Sequence, residues 1–293
     1  MEGFSTDEIM RLALDLIGEP ETPRDSGVHV PGTGIKKLLF TMDANVGLLH
    51  MAKEMGFDCV LCHHPCGALI EQGEVYARHL DLIEMHGIEK EKALETLGDS
   101  LERAVGRIRN KRERMLYRES PNQTVLEVDA ARLMGLPFMN MHNAFDEAGR
   151  RILQAKIDAA IKDNPDFTLA QVLTLIKELP EAVKAVNDYA ITPVIFMGDP
   201  ETRAARTVFV HGALSAPHPE IIECYWQNGF ETVIMLHGEF DQLEKLKKEN
   251  EGNLILTGHF LGDSIGMTPF IRALRKKGVE VTCTGGIIDI DGL

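Results

Sequence analysis

The stretch GFDCVLCHHP, residues 56–65, joins a short apolar run to two adjacent histidines and a proline. Its segment Asp58–Cys62 has the length and composition of a buried strand. A second such run, Lys37–Met42, precedes it, and the helical pattern of Gly47–Met55 lies between the two. A helix between two strands is typical of a βαβ unit, so this part of the chain predicts a parallel sheet.

Short apolar runs and helical patterns alternate in the same way along the rest of the chain. This alternation predicts an α/β fold with mainly parallel strands flanked by helices. Further strands are predicted at Phe138–Met141, Thr192–Met197, Thr207–His211, Thr232–Leu236, Asn253–Thr257 and Val279–Cys283. Further helices are predicted at Thr6–Ile17, Asn122–Met134, Arg151–Asp163, Leu169–Glu178, Pro219–Asn228, Phe240–Glu249 and Met267–Lys277.

The 293 residues of the chain suit one large domain or two modest ones. The best place for a boundary is Pro180–Pro193, where a predicted helix ends and a new strand begins, and it gives two parts, 1–185 and 186–293. The first part contains a helical insertion near residues 88–135. In its charged segment Ile88–Arg118, apolar residues recur at steps of three and four, which predicts one long amphipathic helix. Interleaved acids and bases favour a solvated face or a subunit contact for it.

The charge of the chain argues against several classes of function. There are 31 basic and 45 acidic residues, a formal net charge of −14, whereas a dedicated nucleic-acid binder needs a basic surface. No apolar run approaches the roughly 20 residues that span a membrane. The N-terminus, MEGFSTDEIM, lacks the basic start of a secretory signal. We therefore expect a cytoplasmic protein, and the odd set of five cysteines fits reduced thiols.

Several histidines directly follow predicted strands, where side chains of parallel α/β sheets converge in a crevice. They are His63, His64, His142, His237 and His259. Two of them have an acid four positions later, in the pairs His142/Asp146 and His259/Asp263. Imidazole nitrogen and carboxylate oxygen together are ligands for Zn, Mn, Fe, Co or Ni. The combination of these motifs predicts a metal site.

Other interpretations of the same residues are simpler. A single histidine after a strand is more often a hydrogen-bonded structural residue, and Asp146 or Asp263 alone could cap the helix that follows. It is the joint occurrence of the motifs that favours metal binding. Cys62 and Cys66 flank the histidine pair, but structural zinc sites usually have paired CxxC motifs, so we interpret both as core residues. The sequence contains no Gly-rich nucleotide-binding motif and no GxSxG motif.

Taken together, these motifs resemble the NIF3 family, also described as Nif3-like dinuclear metal centre proteins or type 2 GTP cyclohydrolase I. The matching segments are DSGVHV (25–30), MDAN (42–45), GFDCVLCHHP (56–65), HNAFD (142–146), LHGE (236–239) and TGHF (257–260). The resemblance implies a NIF3-like subunit with two α/β lobes, of which the C-terminal one completes a two-metal site in the cleft between them. It also implies a toroidal homohexamer.

By matching position, the resemblance further implies which residues act in this site. Asp146 or Asp263 would bridge the ions, and Asp263 stands where the family usually has Glu. His142 would be a ligand or a proton-transfer group, and Glu239 would lie in the outer shell or transfer a proton. The implied metal ligands are His63, His64, Asp146, His259 and Asp263. The implied cofactors are two divalent transition-metal ions per subunit, with Zn, Mn, Fe, Co and Ni all open.

Two ions in one pocket favour metal-assisted hydrolysis, because a bridging water then loses a proton near neutral pH and becomes a nucleophile. Our first hypothesis is a dinuclear-metal-dependent hydrolase acting on a small molecule. A nucleotide such as GTP is implied by the family description alone. The alternative is a metal-binding, ring-forming regulatory or interaction protein without catalysis. A redox enzyme that uses iron in the same ligands is a third option.

Overall fold

The computed structural model describes residues 3–67, 71–117, 122–214 and 217–292, and gives the backbone alone for residues 110–117 and 122–124. The strands are β1 (Gly27–Val30), β2 (Lys37–Thr41), β3 (Cys59–Cys62), β4 (Phe138–Asn140), β5 (Val194–Met197), β6 (Thr207–Phe209), β7 (Thr232–Met235), β8 (Asn253–Leu256) and β9 (Glu280–Thr284). The helices are α1 (Thr6–Asp15), α2 (Val46–Glu54), α3 (Gln72–Ala77), α4 (His79–Met85), α5 (Lys90–Leu97), α6 (Ser100–Tyr117), α7 (Asn122–Met134), α8 (Asn143–Asp163), α9 (Leu169–Lys177), α10 (Pro180–Tyr189), α11 (Pro219–Gln227), α12 (Phe240–Glu249) and α13 (His259–Lys276).

The strands form two sheets, each mainly parallel with one antiparallel edge strand. The first sheet has the order β1-β4-β3-β2-β9, and β1 is its antiparallel strand. The second has the order β5-β8-β7-β6, and β5 is its antiparallel strand. Helices flank both sheets, and the predicted α/β class is confirmed.

The chain returns to the first sheet at its end. Strand β9 pairs in parallel with β2, from Lys37 opposite Glu280 to Thr41 opposite Thr284. Part of the segment 186–293, predicted to form the C-terminal lobe, therefore completes the N-terminal sheet, because the free edge of β2 needs a hydrogen-bonding partner. The boundary between residues 185 and 186 otherwise stays a prediction.

The structure corrects several predicted elements. Strand β1 was not predicted, because a strand of four residues at a sheet edge shows little of the apolar pattern that identifies buried strands. Helix α10 was not predicted, because Pro180 was interpreted as the start of a domain boundary, although proline suits the first turn of a helix. The single long helix over Ile88–Arg118 is wrong, since α5 ends at Gly98, whose φ of 52° is a left-handed value that glycine tolerates. No helix in the described ranges is long and apolar enough to cross a membrane.

The charged insertion nevertheless has one buried face. Its buried apolar residues are Ala93, Leu97, Leu101, Ala104 and Val105. They belong to the same core cluster as Val208 of β6, Val233 of β7 and Tyr225 of α11. Helices α5 and α6 thus bury apolar side chains in the core formed around the second sheet, whereas described charged side chains such as Arg103 and Arg107 are exposed.

Helices α8 and α13 lie between the two sheets and contribute to the cores of both. They approach each other closely at glycines. A Cβ atom on Gly266 would lie 2.6 Å from the backbone nitrogen of Gly149 and 2.8 Å from the carbonyl carbon of Phe145. Only glycine fits at such a distance. The crossing brings the N-terminal parts of the two helices, which carry Asp146 and Asp263, to one place.

Candidate metal centre

A cluster of histidines and aspartates lies where the carboxyl ends of strands from both sheets face each other. His63 and His64 follow β3, His142 precedes α8, and His211 follows β6. The other members are on helices: Asp146 in the first turn of α8, and His259 and Asp263 at the start of α13. We call these seven residues the His/Asp cluster. Crevices at strand ends are the usual sites of function in α/β proteins.

Most of the cluster is shielded from solvent, and several of its polar atoms lack a hydrogen bond. His63, Asp146 and His211 are completely buried, and Asp263 is 1% exposed. Both carboxylates, His63 Nε2 and both ring nitrogens of His211 make no hydrogen bond to the described residues. Burying a carboxylate without a partner is costly, and paired or metal-bound charges are the usual exceptions. These atoms therefore fit a cation bound among them.

The distances between the polar atoms fit shared coordination. His63 Nε2 lies 3.4 Å from Asp146 Oδ1 and 3.4 Å from Asp263 Oδ2. His211 Nε2 lies 3.8 Å from Asp146 Oδ1 and 3.7 Å from Asp263 Oδ1. Ligands at about 2.1 Å from one ion lie roughly 3.0–3.4 Å apart in octahedral or tetrahedral geometry. The observed separations are near this range.

Three groups of side chains have ligand atoms close enough for one ion. They are His63/His64/Asp263, His63/His142/Asp146 and Asp146/His211/Asp263. Every group shares at least one member with each of the others. Neutral imidazole and carboxylate together are a ligand set for divalent transition metals.

The histidines are oriented by hydrogen bonds on the side away from the cluster. His63 Nδ1 is 3.2 Å from the carbonyl oxygen of Met141, and His64 Nδ1 is 2.7 Å from Asp43 Oδ1. An acceptor at Nδ1 places the ring proton there and leaves the lone pair of Nε2 for a metal. Metal-binding histidines usually have such an acceptor behind them.

His142 has a buried carboxylate behind it. Its Nδ1 lies 2.8 Å from Oδ2 of Asp25, which is completely buried. Asp25 is held in turn by the hydroxyl of Ser26, which donates to its Oδ1 at 3.0 Å, and the amide of Asn140 donates to its backbone carbonyl. This carboxylate–histidine pair fixes the ring of His142 beside the cluster.

His259 forms the more exposed edge of the cluster. Its Nε2 lies 3.0 Å from His64 Nε2 and 3.1 Å from Asp263 Oδ2. The His259 and His64 side chains are 33% and 23% exposed, so solvent reaches the cluster on this side. His237 stacks on His259 with ring centroids 4.5 Å apart, and it extends the same edge.

Burial and the close approach of opposite charges together set the pKa values within the cluster. It raises the pKa of the Asp146 carboxyl well above its ordinary value, and the neighbouring Asp263 acts in the same direction. It lowers the pKa of His211 to about 3, so this imidazole is neutral at pH 7. For His259, burial lowers the pKa, but the close contact and negative charge of Asp263 outweigh it and raise the pKa. Neutral imidazoles beside buried carboxyls suit metal ligation.

The structure brings together six of the seven residues to which the family resemblance assigned a role in the site. These are His63, His64, His142, Asp146, His259 and Asp263. The exception is Glu239, which is exposed at the start of α12 and belongs to none of the metal-capable groups found among the described residues. Glu239 precedes α12 as its N-cap residue, and its side chain makes no capping hydrogen bond.

Sequence reasoning missed His211. The predicted strand Thr207–His211 included it as the last residue, whereas β6 ends at Phe209. Had the strand been predicted to end earlier, His211 would have followed a strand end like the other histidines. Unlike His142 and His259, however, His211 has no acid four positions later. Asp25 was noticed only as part of a matching segment, because nothing in the local pattern shows that it contacts His142.

Comparisons with known proteins support the fold. No protein-family model matches the chain, and no curated protein does. The chain is similar to a solved NIF3 superfamily protein from Sphaerobacter thermophilus, with 29% identity over 98% of this chain and 100% of that one and a TM-score of 0.86.

More distant structures share the fold alone. Reduced HcgD from Methanocaldococcus jannaschii is 12% identical, covers 96% of this chain and 98% of its own, and has a TM-score of 0.53. TTHA1606 from Thermus thermophilus is 12% identical, with 96% and 97% covered and a TM-score of 0.52. The resemblance to the NIF3 family is therefore confirmed, and this chain has the NIF3 fold over nearly its whole length.

Proposed function

We propose that the chain is a metal-dependent hydrolase whose His/Asp cluster holds two divalent transition-metal ions. The observation that carries this proposal is the arrangement of Asp263. Its Oδ2 faces His63, His64 and His259, and its Oδ1 faces His211. A carboxylate with different imidazoles at its two oxygens is suited to bridge two ions.

Asp146 supports the same arrangement from the other helix. Its Oδ1 faces His63 and His211, and its Oδ2 lies 3.4 Å from His142 Nδ1. Two buried carboxylates would offset the positive charge of two divalent ions in a region that solvent hardly reaches. When bound, such ions supply a water activated near neutral pH and a positive charge for a developing oxyanion.

The side chains around the cluster define where a substrate could approach. The exposed edge at His64 and His259 is the open side, whereas His63 and His211 form the closed floor. His142, oriented by Asp25, is placed to hold a proton near Asp146. Glu239 begins the helix that follows His237, and its role in proton transfer stays a prediction.

The substrate class proposed is a small molecule with a hydrolysable carbon–nitrogen or phosphoester bond. A nucleotide such as GTP is included because of the family resemblance alone. The homohexamer is proposed on the same ground. The open edge of the cluster suits a small ligand better than a polymer, because only two of its seven side chains are more than slightly exposed.

Metal analysis of the protein purified without added metal tests the first half of the proposal. We expect about two transition-metal ions per chain for the wild type. Asp146→Asn should lower that number, and the matched variant Asp166→Asn, on the exposed turn before α9, should not. Wild-type protein that folds with no bound metal, and gains none on incubation with Zn, Mn, Fe, Co or Ni salts, would refute the proposal.

A turnover assay tests the second half. The metal-loaded protein should hydrolyse at least one compound in a panel of nucleotides, phosphoesters and cyclic amides, and Asp146→Asn should lose this activity while remaining folded. Failure of the whole panel, together with a large loss of thermal stability on metal removal, would favour the regulatory alternative. The same metals would then serve structure and not catalysis.

A further inference from the structure

Two cysteines lie beside the His/Asp cluster without belonging to it. Cys62 is the last residue of β3 and is buried, and Cys66 follows four residues later and is partly exposed. Their Sγ atoms are 3.5 Å apart. None of the metal-capable groups found among the described residues contains a cysteine. The proposed hydrolase therefore leaves this pair of thiols unused.

The surroundings hold the two sulfurs towards each other. Cys62 Sγ donates to the backbone carbonyl of His64 at 3.4 Å, and Cys66 Sγ lies 3.2 Å from Nε2 of His29. The His29 Nε2 atom is in turn 3.0 Å from Oδ1 of Asn140. His29 lies in β1 and Asn140 in β4, so two strands outside the loop help to fix the position of Cys66.

A covalent bond between the sulfurs requires them to move closer together. A disulfide has a sulfur–sulfur distance of about 2.05 Å, so the two atoms would have to approach by roughly 1.5 Å. Gly67, directly after Cys66, has a φ of 79° and forms a turn there. A Cβ atom on it would lie 2.8 Å from Cε1 of His29, so glycine is what allows this ring to reach Cys66.

The three remaining cysteines have no comparable arrangement. Cys59 and Cys224 are buried, Cys283 is partly exposed, and none of them has a second sulfur within contact in the part of the chain that the structure describes. The 62/66 pair combines a buried thiol, a partly exposed thiol and van der Waals contact between the sulfurs. Redox-active cysteines are commonly accessible and placed beside a second cysteine.

We propose that Cys62 and Cys66 form a redox-active dithiol that hydrogen peroxide converts to a disulfide. Cys66 Sγ attacks one peroxide oxygen, the O–O bond breaks, and a sulfenic acid and one water form. Cys62 Sγ then attacks the Cys66 sulfur, the S–O bond breaks, and the hydroxyl leaves as a second water with the Cys62 proton. The two sulfurs lose two electrons in total, and the peroxide gains them.

The test uses the full-length protein as purified, treated with hydrogen peroxide and then denatured and alkylated. We expect the intact mass to fall by two hydrogens and the number of alkylated cysteines to fall from five to three, with dithiothreitol restoring both. Because Cys59, Cys62 and Cys66 lie on the same tryptic peptide, 54–78, variants must identify the pair.

Cys66→Ser should abolish the disulfide, and Cys62→Ser should leave Cys66 as a sulfenic acid that dimedone labels. The matched controls Cys59→Ala, Cys224→Ser and Cys283→Ser should form the disulfide like the wild type. Five alkylated thiols in peroxide-treated wild type, a disulfide that persists in Cys66→Ser, or a bond only between chains would overturn the proposal. If the buried Cys62→Ser variant fails to fold, the wild type and the partly exposed Cys66→Ser variant still decide the question.

Discussion

The close crossing of α8 and α13 leads to a prediction about Gly266. In Gly266→Ala, the new Cβ atom would lie 2.6 Å from the backbone nitrogen of Gly149. The carbonyl oxygen of Phe145 lies closer still, so an ordinary contact of about 3.4 Å requires the helices to separate by more than the 0.8 Å that the Gly149 nitrogen alone demands. The obstacle is backbone and not a flexible side chain, so a rotamer change cannot relieve it. Overpacking of this kind costs about 1–3 kcal/mol.

The better helix propensity of alanine offsets up to about 1 kcal/mol of that cost. We therefore expect the free energy of unfolding to fall by about 1–2 kcal/mol, which for a chain of this size is a drop of roughly 2–8 °C in melting temperature. The same separation should move Asp146, next to Phe145, away from Asp263. The metal content of the purified variant should fall together with its melting temperature.

Thermal unfolding and elemental analysis of the same preparation check both effects. Gly106→Ala is the matched control, because Gly106 lies in α6 and a Cβ atom there meets nothing within 4 Å. The control should be as stable as the wild type or up to about 1 kcal/mol more stable. A Gly266→Ala protein with unchanged melting temperature and unchanged metal content would show that the crossing does not hold the two aspartates together.

Three further predictions concern single side chains. Asp25→Asn should lower metal affinity about 10–100-fold, as measured by competition with a chelator, because His142 loses the carboxylate behind it. His211→Ala should reduce the amount of bound metal as much as His63→Ala does. The control His50→Ala, on the exposed face of α2, should leave the metal content unchanged. If His211→Ala binds as much metal as the wild type, His211 has no part in metal binding. Asp289→Asn should cost about 1–2 kcal/mol at pH 7, because Asp289 accepts a hydrogen bond from Arg275 at 2.7 Å. Burial raises the pKa of the Asp289 carboxyl, but the contact with Arg275 outweighs burial and lowers it. The stabilisation by this ion pair is therefore fully present above the ordinary aspartate pKa of 3.8 and is lost as the pH falls through the lower pKa of the folded state. In acid, the variant and the wild type should have the same free energy of unfolding.

The sequence was sufficient for the parallel strands because most of them are short apolar runs. Residues such as Val60 and Ile255 are completely buried, and burial on both faces gives a continuous apolar pattern. The sequence was insufficient for β1, which depends on tertiary contacts, and for α10, which depends on the tolerance of Pro180 in its first turn. The start of α13 at His259 was also missed, because Gly262 and Gly266 weaken the helical pattern of its first turns.

The candidate site followed from one rule, that side chains after parallel strands converge. This rule identified His63, His64 and His142, which follow the first sheet, and His259, which follows the second. It did not show that the two sheets face each other, because that depends on the glycine contacts between α8 and α13. Asp25 shows the same limit, since its contact with His142 joins residues that are 117 positions apart.

The position of the cluster between the sheets has a consequence for stability as well as for chemistry. The first sheet supplies His63 and His64, the strand β6 of the second supplies His211, and the carboxylates come from the helices between them. Without a cation, folding would bury Asp146 and Asp263 with no hydrogen-bond partner among the described residues, at a cost that raises the pKa of Asp146. A bound cation would remove that cost only when both halves of the chain are folded and in contact, so metal affinity and the joining of the two sheets would be thermodynamically linked.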